Sequence, residues 1–208
     1  MTAGGPGELE SIVAQLRDEV QRERQVRERA EAGLTEALNE RTLLAEQLAQ
    51  SERQNQTLLN LYAASERLHS SLDREDVLAG IQEIVINLIG SEELGVFELS
   101  EDGKSLRLVS AFGIEPGSWE GVTLGRGLIG EAAQRGEPFV PQSAPGSQLT
   151  AVVPLKVEGR LIGAVAVFRL LPQKHELGPD DHQLFDLLAT HGALALYSAA
   201  LAGKGRRP

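Results

Sequence analysis

Few side chains in this chain of 208 residues could carry covalent or metal chemistry. There is no cysteine, which excludes disulfides, thiolate metal sites, cysteine nucleophiles and thioether-linked pigments. The histidines are His69, His175, His182 and His191. No two of them share a helix face at ligand spacing and no His-Glu-x-x-His occurs, so no metal and no cofactor is assigned. His69 invites comparison with a phosphoacceptor, but Ser70-Ser71 follows it rather than an acid and no ATP-binding domain accompanies it. His191, among Leu187, Leu188 and Leu194, reads as a satisfied core or interface residue. Gly125-Arg126-Gly127-Leu128-Ile129-Gly130 satisfies Gly-x-Gly-x-x-Gly. A dinucleotide site also needs a strand before it, a substantial helix after it and an acid about 20 residues on. Gln148 to Val152 offers no acid, so turn glycines ahead of a short helix are the better reading. No catalytic residue is assigned, and an enzyme is not expected.

What remains is binding. Trp119 lies in the Gly-rich stretch from Gly113 to Gly127 and could stack on a ligand, anchor a partner or plug the chain's own core. The charge balance narrows the partners, because 30 acids against 20 bases give a net charge of −10. Phosphate affinity needs clustered Lys and Arg, so nucleic acid is not expected. No signal peptide is visible, and the uncharged run Leu187 to Gly203 reads as a buried helix rather than a membrane span. The expected compartment is the cytoplasm.

The elements that position these residues divide the chain in two. Residues 1–8 read as disordered, and the stretch that follows is rich in Glu, Arg, Gln, Ala and Leu, all but free of glycine and without an aromatic before Tyr62. Such a run favours a long helix and cannot bury a core of its own. With Val13 at heptad position a, the a and d positions from Leu9 to Ser65 include Val13, Leu16, Val20, Leu34, Leu44, Leu48, Leu58 and Tyr62. A single helix would leave that stripe in water, so residues 9–65 are expected to pair as a coiled coil, roughly 85 Å long if unbroken. Asn55 at an a position favours a parallel dimer, since two facing amides can hydrogen-bond across the seam.

From residue 66 to 202 the pattern is mixed. The helix is expected to continue to Leu72, where Asp73 caps a second helix that Gly90 closes. Val96–Leu99 and Leu106–Phe112 flank Glu101-Asp102-Gly103-Lys104, a hairpin signal, and Leu149–Val157 and Arg160–Leu170 flank the two-residue turn Glu158-Gly159. A short helix over Leu128–Arg135 and a short strand at Phe139-Val140 lie between them. After Pro179, Asp180 and Asp181 start a last helix running to about Leu201. The order implies an α+β fold: an antiparallel sheet covered by helices on at least one face, preceded by the long helix. Residues 203–208 read as a basic tail.

This order, with particular residues at its joints, resembles the GAF domain. The carrying segments are Leu68-His69-Ser70-Ser71-Leu72-Asp73, Val109-Ser110-Ala111-Phe112-Gly113, Leu124-Gly125-Arg126-Gly127-Leu128-Ile129-Gly130-Glu131-Ala132, Gly136-Glu137-Pro138, and Ala151-Val152-Val153-Pro154-Leu155 with Gly159-Arg160-Leu161-Ile162-Gly163-Ala164-Val165. The resemblance covers about residues 60 to 200. It implies a bacterial module that senses small molecules and dimerises, with Ala111 and Leu128 near the family's pocket region. The departures from the family pattern are equally informative. Only Pro141 to Gln148 fills the gap where typical members carry a helix and loops over the ligand, and the Asn-Lys…Phe-Asp-Glu signature of cyclic-nucleotide binders is missing. The cysteines of the bilin-carrying and methionine-sulfoxide-reducing members are also missing. The expected function is a non-catalytic signalling or scaffolding subunit. It would be a homodimer through the coiled coil, with Leu187 and Leu194 of the last helix joining the bundle, and would bind another signalling or scaffold protein. The alternative is a sensor of a small molecule, such as a nucleotide, whose pocket regulates the coiled coil.

Overall fold

The computed structural model describes residues 6–119, 121–141 and 149–205. It divides into two units, Met1–Asn55 and Gln56–Pro208. The first is the greater part of helix α1 (Pro6–His69), in which every residue from Glu10 to Asn55 is exposed. Good helix formers sustain this segment, with local side-chain contacts along the helix such as the Arg27–Glu31 pair at 2.7 Å and the Thr35 and Thr42 hydroxyls donating to carbonyls four residues back.

The second unit is a five-stranded antiparallel sheet with helices on one face and a short helix and loops on the other. Helix α1 ends at His69, three residues before the expected stop, because Ser70 turns back and donates to the Arg67 carbonyl at 2.9 Å. Asp73 caps helix α2 (Arg74–Ile84) by accepting from the amides of Glu75 and Asp76. A π-helical turn over Val85–Ile89 extends α2 and ends at Gly90 in the left-handed region. Strands β1 (Leu94–Leu99) and β2 (Ser105–Phe112) form the first hairpin, and β3 (Val122–Thr123) adds two residues at the β2 edge. Helix α3 (Gly127–Arg135) precedes the second hairpin of β4 (Ala151–Val157) and β5 (Arg160–Val167). Its turn is type I′, with φ 50° at Glu158 and 78° at Gly159. The strand order is β3-β2-β1-β5-β4. Phe139, expected in a short strand, makes an isolated bridge to Val152 on the outer side of β4.

Side-chain alternation divides the sheet into two cores. Leu94, Val96, Val153, Leu155, Val165 and Val167 face α2, helix α4 (Pro179–Leu187), helix α5 (Ala193–Gly205) and the end of α1. Phe97, Val152, Ala164 and Ala166 face the other way, under α3 and the loops. Covering on both faces explains why the central strands read as near-continuous apolar runs. Gly163 lets β5 approach β1, since a Cβ there would lie 2.2 Å from the Phe97 carbonyl oxygen. Helix α4 starts after Gly178, whose amide donates to the buried Asp181 carboxylate at 2.7 Å, and Lys174 pairs with the same carboxylate at 2.5 Å. The span Pro179–Gly203 is long and apolar enough to cross a membrane by length and composition. Its Leu184, Phe185, Leu188, Leu196 and Ala199 are nonetheless buried in the helix-side core.

Candidate functional site

The loop side of the sheet carries the three sequence-derived binding candidates, Trp119, Ala111 and Leu128. Trp119 ends a 3-10 turn (Pro116–Trp119) and is half-buried, its ring 4.6 Å from that of Phe168 and tilted by 48°. It packs on the cluster of Phe97, Ile129, Ala132 and Phe168, filling space above the sheet as a plug of the domain's own core. Ala111 pairs with Gly95 across the β1–β2 ladder and is half-buried. Leu128, in the first turn of α3, is 39% exposed. The structure therefore seats Trp119 in the core while Leu128 turns to solvent. The Pro141–Gln148 segment, expected to be a loop too short for a lid, lies outside the described residues from 142 on.

The helix side presents a different surface. Within the domain, α1 buries Ala64 and Leu68 and packs Leu61 against the core. Its heptad stripe points elsewhere: Leu58 is 64% and Tyr62 66% exposed, and His69 follows at the next a position. On the last helix Leu194, Tyr197 and Leu201 are exposed, whereas Leu187 is half-buried against the helix-side core. The two helices meet at polar groups. Nε2 of His69 lies 3.0 Å from Nδ1 of His191, and Ser65 Oγ is 3.4 Å from the same nitrogen. A π-helical turn over Leu188–Gly192 sets His191 there, with Thr190 Oγ donating to the Asp186 and Leu187 carbonyls it loosens. Spacing along the sequence gave no hint of this pair, because its members are 122 residues apart.

Two cavities lie at the edges of the sheet, bordered by residues of both cores. One, of about 400 Å³, is lined by Arg74, Glu98, Arg107, Leu196, Tyr197 and Leu201 among others. Glu98 accepts from Arg74 at 2.8 Å and stands 3.8 Å from Arg107, its cross-strand neighbour. The hairpin register could have found the Glu98–Arg107 neighbours, but not Arg74, which comes from α2. The other, of about 780 Å³, is bordered by Phe168, Lys174, His175 and His182. Among the described residues no three metal-binding side chains cluster. Arg67 holds the Glu83 carboxyl below its ordinary range by hydrogen bonding, at 2.6 and 3.1 Å. Asp102 is likewise lowered, first by the Ser100 hydroxyl and then by the Lys104 amide in the β1–β2 turn.

A GAF domain model matches residues 71–196. The chain belongs to the GAF domain family. This GAF domain is a sensory and signalling module by membership. It is similar in fold to the GAF domain of an Acinetobacter phosphoenolpyruvate-protein phosphotransferase, at 19% identity and a TM-score of 0.58, covering 72% of this chain and 96% of that one. Free methionine-R-sulfoxide reductase from Neisseria meningitidis, solved with its substrate, gives 20% identity and a TM-score of 0.56, over 71% and 93%. Residues 122 to 287 of a methyl-accepting chemotaxis protein give 21% and 0.53, over 67% and 98%. No curated protein matches the chain in sequence. At these identities the likeness is one of fold, and two of the three come from enzymes while the third is a chemotaxis protein, so function has to be argued from this chain's residues.

Proposed function

We propose that this GAF domain is a non-catalytic signalling or scaffolding subunit of the cytoplasm, made a parallel homodimer by residues 9–65 and offering its domain to a partner protein. The observation that carries this is how α1 uses its faces. Leu61, Ala64 and Leu68 go into the domain, while the a and d stripe stays outside it, with Leu58 and Tyr62 about two-thirds exposed. Upstream, Val13, Leu16, Val20, Leu34, Leu44 and Leu48 continue that stripe at 45–62% exposure. A helix that commits one face to its own domain and carries a second apolar face has a use for that face in pairing. The lack of cysteine removes thiol chemistry, and Trp119, spent on the domain's own core, leaves the exposed stripe of α1 as the main apolar binding surface among the candidates.

Sedimentation velocity of the whole chain at micromolar concentration tests the pairing. A dimer is expected, and a combined Leu44→Lys and Leu48→Lys variant should weaken it by about 100-fold or more, since charges at a and d positions break a seam. A monomeric wild type would refute the reading.

The alternative, a small-molecule sensor, has one observation in its favour. The 400 Å³ cavity with Arg74, Glu98 and Arg107 has the size and convergent polar groups of a ligand site. Thermal denaturation against a panel of nucleotides and carboxylated metabolites tests it. A ligand at 100 times its Kd should stabilise the domain by about 2.7 kcal/mol, and a flat response across the panel would count against the sensor.

A further inference from the structure

The His69–His191 pair belongs to neither reading. Two neutral imidazoles with nitrogens 3.0 Å apart must share one hydrogen between them, because two facing lone pairs would repel. A metal cation can take that hydrogen's place. Two imidazole nitrogens on a common ion at about 2.05 Å are ~2.9 Å apart at a right angle and ~3.3 Å apart in a tetrahedron. The observed separation falls between these values, so little backbone movement is needed, and both rings are exposed enough to turn. They come from two elements tied into one core, α1 through Leu68 and the π-helical turn through Leu188.

We propose that His69, through Nε2, and His191, through Nδ1, form a bidentate site for a divalent transition metal of the kind imidazole prefers, Zn²⁺, Ni²⁺ or Cu²⁺, with Ser65 Oγ beside them. On binding, the bridging hydrogen moves to the outer nitrogen of the same ring, so a neutral pair releases no net proton. Water fills the remaining positions. The metal would lock the end of α1 to the last helix, at the level where the exposed stripe of α1 reaches the domain. This site needs only one chain and stands independently of the dimer.

Calorimetric titration of the full chain with ZnCl₂ and NiCl₂ in a non-chelating buffer tests the site. One ion per chain is expected. His69→Ala and His191→Ala should each weaken binding at least tenfold, while His182→Ala, whose ring packs edge-on against Phe185, should leave it unchanged. No saturable binding up to millimolar metal, or a site retained in both variants, would overturn the proposal. A measurement on the wild type covers the case in which a variant fails to fold. Metal should protect His69 and His191 from diethyl pyrocarbonate and leave His175 and His182 modified. Protection of the latter two alone, or of none, would equally overturn it.

Discussion

Helix α1 is one element with two kinds of surroundings. From Glu10 to Asn55 no residue is buried, although the stripe there includes Leu16, Leu44 and Leu48. From Gln56 to His69, Ala64 falls to 2% and Leu68 to 0% exposure. The difference lies not in helix propensity, which is high throughout, but in whether the chain supplies a surface to pack on. The domain accepts the Leu61, Ala64 and Leu68 face, touches the heptad stripe only at the polar Ser65 and His69, and leaves its apolar Leu58 and Tyr62 exposed. Apolar residues at helical spacing therefore reveal how many faces a helix has, but not which of them its own domain covers.

The largest effect should come from breaking the covered side. Leu68→Ala removes a fully buried side chain beside the α2 and α5 core and should cost about 2–4 kcal/mol in chemical denaturation of the domain. Leu44→Ala removes a side chain of the same size that is 57% exposed. It should leave the domain's unfolding midpoint unmoved while weakening self-association. Equal effects of the two on domain unfolding would erase the distinction.

A second contrast is between the two faces of the sheet. Both faces bury large side chains, Phe185 on the helix side and Phe97 and Phe168 on the other, but the loop side relies on the half-buried Trp119 to cover Phe168. Trp119→Ala should cost about 1–3 kcal/mol, below a fully buried tryptophan because this one is only half-buried. Trp119 fluorescence should be blue-shifted in the folded protein. Ligands that enter the loop side would have to displace the ring and shift that emission to the red.

Much of this arrangement was legible beforehand. The hairpin turns, the Asp73 cap, the short α3 and the last helix all rest on local chemistry: Asp-Gly and Glu-Gly turns, an aspartate before a helix and a proline at its start. Three features were not. The stop of α1 at His69 depends on a serine hydroxyl folding back on a carbonyl, which competes closely with three more residues of helix. The π-helical turns at Val85–Ile89 and Leu188–Gly192 have no compositional mark, since one extra residue in a turn is decided by packing on the sheet. The convergence of Ser65, His69 and His191 requires the fold itself, as does that of Arg74 with Glu98 and Arg107. Local chemistry sets the elements, and only their packing brings distant side chains together.

The smallest expected effect separates two ion pairs of nearly equal length on α1. Arg27–Glu31 at 2.7 Å joins neighbouring turns of one exposed helix, so it orders nothing that the helix does not already order. Arg67–Glu83 at 2.6 Å ties α1 to α2 across a separation of 16 residues. The hydrogen bond from Arg67 lowers the Glu83 carboxyl pKa, and the pair raises that of Arg67 in turn. A folded-state carboxyl pKa below its unfolded value contributes stability that is fully present above the ordinary carboxylate range. That stability disappears as pH falls through the lowered value. Because Glu83 is about half exposed, solvent screening limits the contribution to roughly 0.3–0.5 kcal/mol. Glu83→Gln should therefore lower domain stability by that amount at pH 7 and converge with wild type under acid conditions, in parallel denaturation series. Glu31→Gln, in a pair exposed on a single helix, should leave domain stability unchanged at pH 7. A constant gap for Glu83→Gln at every pH would mean that the Arg67 contact works through packing of its alkyl chain and not through charge.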